Sequence, residues 1–383
     1  METVKTNKPA RSKSKKEKKI KDLPSATPFD YLDWRGDLPF STVPLGEVDN
    51  LIFSLLTYMD YTGVVPQKPT SFNTPEILLE VAKKYLKARS GIHKDIGLMI
   101  PKEIIMLFVR AAKTQRFGTV RPFCYVQQTD DQTQMQFSAI SFFLPGGDVF
   151  VAFRGTDDSL VGWKENFNMS FMHPVPAQKE AVKYLDNIAS LTKGKIYVGG
   201  HSKGGNLAIY ASAKTKKEYK DRIVAVYNND GPGFDKKFVK GRDFLSVKSK
   251  ICTLVPQTSV VGMLFEHEEE VTVVKSNTGG ILQHNGLTWA VMGSKFIHLD
   301  DIDSTSKRIE AKLKSWMSTL TPARRAKFAD AIHEAFSSTS AKTLTDLNED
   351  KLKLLRAWGS LDDDAKTQLK RAIVLMIARR NIK

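Results

Sequence analysis

Apolar residues recur at three- and four-residue spacing through residues 48–58, 75–88 and 101–113, a period that predicts three helices. The last two open on Pro75 and Pro101, where a missing N–H costs a helix nothing. The first lies in a stretch, residues 28–61, that also carries two proline-bearing turns, as expected of a segment docked on a core. The period then shortens. Residues 122–128, 134–144 and 148–154 read as strands, the last two joined through Pro145-Gly146-Gly147 as a tight hairpin. Beyond them helix and strand alternate: helix 177–191, strand 195–199, helix 203–216, then strands 223–227, 251–255 and 271–275.

That rhythm implies an α/β fold, a mostly parallel sheet with helices on its faces and the hairpin at one edge. After residue 303 the pattern becomes continuous helix, with segments expected at 305–319, 322–337, 346–358 and 362–379. No internal repeat suggests a solenoid. The expected organisation is a disordered basic arm at 1–22, an α/β domain at 23–303 and a C-terminal all-helical appendage at 304–383.

The composition, 41% hydrophobic and 26% charged over 383 residues, excludes collagen-like and wholly disordered chains. The formal charge of +16 invites a nucleic-acid reading until it is mapped. Residues 1–22 hold 9 Lys/Arg against 3 Asp/Glu and residues 304–383 hold 17 against 9, whereas residues 23–303 hold 32 against 30. The basic character therefore belongs to the two ends, where loose attraction to anionic membrane surfaces or nucleic acid is conceivable, and not to a site in the centre. No run approaches the roughly 18 apolar residues of a transmembrane helix, and the N-terminus lacks a signal peptide's apolar stretch. Two cysteines, Cys124 and Cys252, are too few for a disulfide framework and suit a reducing, cytoplasmic setting. No cluster at ligand spacing supports a metal, and nothing calls for a cofactor.

The strand KIYVG runs into Gly200-His201-Ser202-Lys203-Gly204, which is followed at once by a helical run. G-x-S-x-G in that context is the pattern of a nucleophile held on a strained strand-to-helix turn, with glycines two residues either side so that neighbouring backbone can approach. The helix N-terminus behind Ser202 offers free N–H groups to an oxyanion. A phosphate-binding loop is the competing reading, but neither the G-x-x-x-x-G-K-[ST] spacing nor a dinucleotide fingerprint is present.

A serine hydroxyl needs a base. His267 precedes a strand, and His298 begins the approach to the appended helices. His284 lies in a loop after the last predicted strand, at the edge where a base belongs, and is the preferred candidate over a merely structural loop histidine. His201 flanks the serine and is expected to be a packing residue.

Four segments, FVAFRGTDD (150–158), GGHSKGGNLA (199–208), VYNNDGPGF (226–234) and LQHNGLTW (282–289), resemble in order and spacing the class 3 lipase family of α/β-hydrolases. The chain is more similar still to a bacterial family of uncharacterised lipase-like proteins that begins with the YLDWRGDLPF-type segment seen at 31–40. The resemblance covers about residues 28–295 and implies an α/β-hydrolase-like fold. It also implies an oxyanion hole formed by Thr156 and the backbone N–H of Lys203. It breaks at the acid: where those lipases carry D-x-V-P, this chain reads Pro256-Gln257-Thr258-Ser259. Some α/β-hydrolases take the acid from the end of the preceding strand, a place filled here by Asp230, for which a plain turn-forming role is an equal alternative.

The expected activity is a serine hydrolase of esterase or lipase type acting on an acyl ester, small molecule or lipid, through Ser202 and His284. The alternative is a hydrolase-fold binding protein with weak or no catalysis, working through its basic helical appendage on nucleic acid or anionic membrane. Lys203 beside the nucleophile hints at an anionic substrate.

Overall fold

The computed structural model describes residues 25–67, 75–88, 101–157, 159–303, 307–308, 311–312, 315–316, 319–339 and 351–377. The basic arm expected at 1–22 lies outside the described residues, as do parts of the helices expected at 305–319, 346–358 and 362–379.

Four helices precede the sheet: α1 (Pro28–Arg35), α2 (Glu47–Leu56), α3 (Leu78–Ala88) and α4 (Glu103–Lys113). The strands follow as β1 (Arg121–Asp130), β2 (Met135–Phe143), β3 (Val149–Phe153), β4 (Ile196–His201), β5 (Ile223–Asn229), β6 (Ile251–Pro256) and β7 (Val271–Val274). Together with the short β10 (His298–Leu299) they form an eight-stranded sheet in the order β1-β2-β3-β4-β5-β6-β7-β10. The pairings from β3 through β7 are parallel, and the hairpin strands β1 and β2 and the closing β10 are antiparallel at the two edges. The intervening β8 (Val291–Met292) and β9 (Lys295–Phe296) make a separate ribbon. The turn between β2 and β3 uses Gly146 and Gly147 at positive φ, which glycine adopts without a Cβ penalty. This is a mostly parallel α/β sheet of α/β-hydrolase-like architecture.

Its strand order dictates how the faces are covered. Parallel strands that advance steadily in one direction through right-handed crossovers place their helices on one face. Here that face takes α6 (Pro176–Leu191) and α7 (Lys203–Lys214), which pack on Val149, Val151, Phe153, Val198 and Val226. The other face would be left bare. It is covered by the N-terminal helices, whose Ile52, Phe53, Leu107 and Phe108 meet Phe142, Phe150 and Ala152. Alternation along β3 sends Val149, Val151 and Phe153 one way and Phe150 and Ala152 the other.

A buried ion pair ties this cover down. Arg116 and Asp49 are both out of solvent, joined through Nε at 2.7 Å and Nη2 at 2.6 Å. The remaining guanidinium hydrogens reach the carbonyls of Leu38, Val43 and Pro44, the Tyr31 hydroxyl donates to Asp49, and the guanidinium lies 4.0 Å over the Phe40 ring. The YLDWRGDLPF segment is thus wrapped around one cation.

Beyond the sheet, α8 (Pro322–Ser337), α9 (Lys351–Ser360) and α10 (Asp363–Ile377) share a small core of Phe328, Ile332, Ala357 and Leu361. No helix among the described residues is long and apolar enough to cross a membrane.

Removing one partner of a fully buried pair strands the other's charge. Asp49→Ala is therefore expected to destabilise the fold by about 3–5 kcal/mol, read from urea denaturation midpoints, whereas Asp33→Ala, which breaks only an exposed contact with Arg110, changes stability by less than about 1 kcal/mol.

Candidate active site

Ser202 joins β4 directly to α7 with φ 57° and ψ −132°. This left-handed conformation is strained for a residue with a Cβ, and its surroundings hold it in place. Its N–H donates to Asn229 O at 2.9 Å, and its carbonyl accepts from Gly205 N–H at 2.9 Å. The flanking glycines are a steric requirement. A Cβ on Gly200 would lie 2.2 Å from the Gly204 carbonyl carbon, and one on Gly204 would lie 2.1 Å from Phe153 O.

The Lys203 N–H is at the start of α7, where a helix has no internal acceptor for it. The Lys203 side chain, however, turns away from the site and corrects the expectation drawn from it. Its ammonium is buried against Glu165 Oε2 at 2.9 Å and against Gln136 O and Oε1, both at 2.6 Å, so it anchors the turn and cannot greet an anionic substrate.

Asp230 follows β5 immediately, also at positive φ (53°). Its N–H donates to Leu254 O at 2.8 Å, and its carboxylate crosses to the candidate base: His284 Nδ1 lies 2.6 Å from Asp230 Oδ2. A carboxylate only accepts, so Nδ1 carries the proton and the lone pair stands on Nε2. Asp230 Oδ1 takes Gly262 N–H at 3.2 Å and the Ser259 hydroxyl. The loop after β6, where the resemblance implies an acid, instead supplies the hydroxyl that holds the Asp230 carboxylate at the end of β5. Gly262 is needed there because a Cβ would sit 2.3 Å from Asp230 Oδ1.

His284 ends a short 3-10 turn (Gly280–His284) and is partly exposed. Among the described residues no direct hydrogen bond joins Ser202 Oγ to the His284 ring. Thr156 lies just past β3, nearly buried, and its Oγ1 accepts from Asn166 Nδ2 at 2.6 Å. Asn166 belongs to α5 (Leu160–Asn168), a helix that the hydrophobic pattern does not reveal. Arg154 pairs with Asp157 at 2.9 Å. The other histidines weighed as bases lie elsewhere: His267 pairs with Glu269 and His298 with Glu47.

His201 is more than a filler. It is buried between the Tyr58 hydroxyl, 2.9 Å from Nδ1, and the His284 carbonyl, 2.7 Å from Nε2, with its ring centroid 4.6 Å from that of His284. Burial first, and the neighbouring His284 second, push its pKa down from 6.5 to about 3. Sequence reasoning missed Ser259, Asn166 and Tyr58, because each acts from a segment remote in sequence and matches no motif. A serine at the place of the absent acid was the one available signal.

A model of the Mbeg1-like family matches residues 111–334 of the chain. Among solved structures the M37 lipase is similar, at 16% identity over 64% of this chain and 82% of that one, with a TM-score of 0.34. A comparison with curated protein sequences finds no match.

The depressed His201 pKa has a consequence for acid stability. Between 6.5 and about 3 the unfolded chain binds a proton at this ring that the folded chain refuses. The contribution is therefore intact above 6.5 and is lost as the pH falls, at up to about 1.4 kcal/mol per pH unit. Denaturation curves from about pH 7 to about pH 4 should show a shallower acid loss in His201→Gln than in wild type.

Proposed function

This chain belongs to the Mbeg1-like family, and from that premise and the geometry of the site we propose that it is a serine hydrolase of esterase or lipase type. Ser202 attacks an acyl carbonyl, His284 Nε2 takes the hydroxyl proton, and Asp230 holds the ring and stabilises the imidazolium. The Lys203 N–H and the Thr156 hydroxyl face the developing oxyanion, with Asn166 donating to Thr156 so that its own proton stays available. The imidazolium then protonates the leaving alcohol. Water, deprotonated by the same ring, releases the acid and restores the serine. No metal or cofactor is needed for these steps, and the free thiols Cys124 and Cys252 suit a cytoplasmic setting.

The observation that carries the reading is the 2.6 Å contact between Asp230 and His284 at the edge of the sheet where Ser202 is held at positive φ. A turn-forming role alone would not need Asp230 to lock one histidine tautomer while its other oxygen is held by Ser259 and Gly262.

A fluorophosphonate probe should label wild type and fail on Ser202→Ala, with hydrolysis of p-nitrophenyl acyl esters falling about 10⁶-fold in that variant. Asp230→Asn should lower kcat by about 10⁴-fold through the wrong tautomer. Unchanged labelling of Ser202→Ala would remove the reading, and a wild-type rate in Asp230→Asn would move the acid elsewhere.

A second reading rests on the appended helices and is compatible with the first. An open cavity of about 680 Å³ there is lined by Arg308, Lys312, Lys370 and Arg371 around Trp316. Four cations beside an aromatic ring suit an anionic partner, a membrane surface or nucleic acid. Association with anionic phospholipid vesicles or with single-stranded nucleic acid should weaken steeply between about 50 and 200 mM salt and be lost in Lys312→Glu/Lys370→Glu while esterase activity persists.

A further inference from the structure

Three parts of the proposed site come from different regions of the chain: the oxyanion segment after β3, the serine after β4 and the base in a loop more than eighty residues later. One chain of contacts links them, through hydrogen bonds from His284 to Tyr58 and close packing of Tyr58 on Gly155. The His284 carbonyl can only accept, so the ring nitrogen 2.7 Å away, His201 Nε2, carries a proton. His201 is neutral when buried, so its Nδ1 accepts a hydrogen bond from the Tyr58 hydroxyl at 2.9 Å. The Tyr58 oxygen in turn packs closely on Gly155, the residue before Thr156. Gly155 has no room for a side chain, since a Cβ would lie 2.2 Å from that oxygen.

We propose that Tyr58 and His201 are positioning residues, a neutral brace that sets the base and the oxyanion segment at fixed distances from the serine. The inference rests on the serine-hydrolase reading and extends it. Asp230 fixes the orientation of the His284 ring, but it does not fix the backbone of a loop that contains Gly279, Gly280 and Gly286. His201 does. It is covalently next to Ser202 and holds the main chain of the base directly, so the separation of nucleophile and base is spanned by one peptide, one imidazole and one hydrogen bond. The neutrality of His201 also matters for the chemistry. His284 becomes an imidazolium during turnover, and a second positive ring at 4.6 Å would oppose that charge.

His201→Ala should lower kcat for p-nitrophenyl butyrate by about 10- to 100-fold with little change in KM, the loss that a misplaced base produces. His201→Gln, whose amide N–H can still reach the His284 carbonyl, should recover most of it. Tyr58→Phe, which keeps the packing and removes only the hydroxyl, should cost about 3- to 10-fold. Independently of turnover, the low-field NMR proton of His284 Nδ1–H bonded to Asp230 should be present in wild type and His201→Gln and broadened or lost in His201→Ala. The proposal is overturned if folded His201→Ala keeps the wild-type kcat, if Gln rescues no better than Ala, or if the low-field proton is indifferent to residue 201. Absent wild-type turnover, or turnover that survives Ser202→Ala, refutes the hydrolase reading instead. The NMR comparison then decides the brace by itself.

Discussion

The backbone of Ser202 is held where an L-residue resists going, and much of the surrounding structure serves to hold it there. Strain of this kind costs on the order of 1–3 kcal/mol and persists only when neighbouring contacts over-determine it. Gly200 and Gly204 provide the close approach, Asn229 fixes the N–H, and the buried Lys203–Glu165 pair ties the first residue of the helix to the interior. That pair shows how an ammonium is accommodated beside the serine. With Gln136 contributing two acceptors, the charge is fully satisfied in a place where an unpaired one would not be tolerated.

The same logic recurs one strand over. Asp230 sits at positive φ at the end of β5, and each of its oxygens is assigned, one to His284 and the other to Ser259 and Gly262. Behind it Asn229 and Asn50 exchange amide hydrogen bonds at 2.9 and 3.0 Å, joining β5 to α2. The N-terminal helices thereby do two jobs. They cover the sheet face that right-handed crossovers leave bare, and through Asn50, and Tyr58 just past α2, they reach the ends of β5 and β4.

The helix α5 connects the site to the C-terminal region. On one side Asn166 holds Thr156. On the other, Phe167 packs against Phe328 at 5.9 Å, Lys164 pairs with Asp330 at 2.8 Å, and Arg325 donates to Ser170 O just beyond the helix. The appended helices are thus in mechanical contact with the element that holds Thr156.

Much of this was legible in the order of residues. The period-two runs around Phe142 and Phe150, the alternation with helices and the glycines flanking Ser202 determine a mostly parallel sheet carrying a sharp turn after its fourth strand, because those signals are local and backbone sterics read them directly. His284 could be singled out as well, since chain order and sheet edge left few rivals. The helix α5, the seat of Asp230's second oxygen, the direction of the Lys203 side chain and the linkage through Tyr58 and His201 could not be read that way. Each depends on hydrogen bonds and ion pairs between groups tens to hundreds of residues apart. Only closure of the sheet and docking of the N-terminal helices bring those groups within bonding distance, and only burial then decides which of them stay neutral.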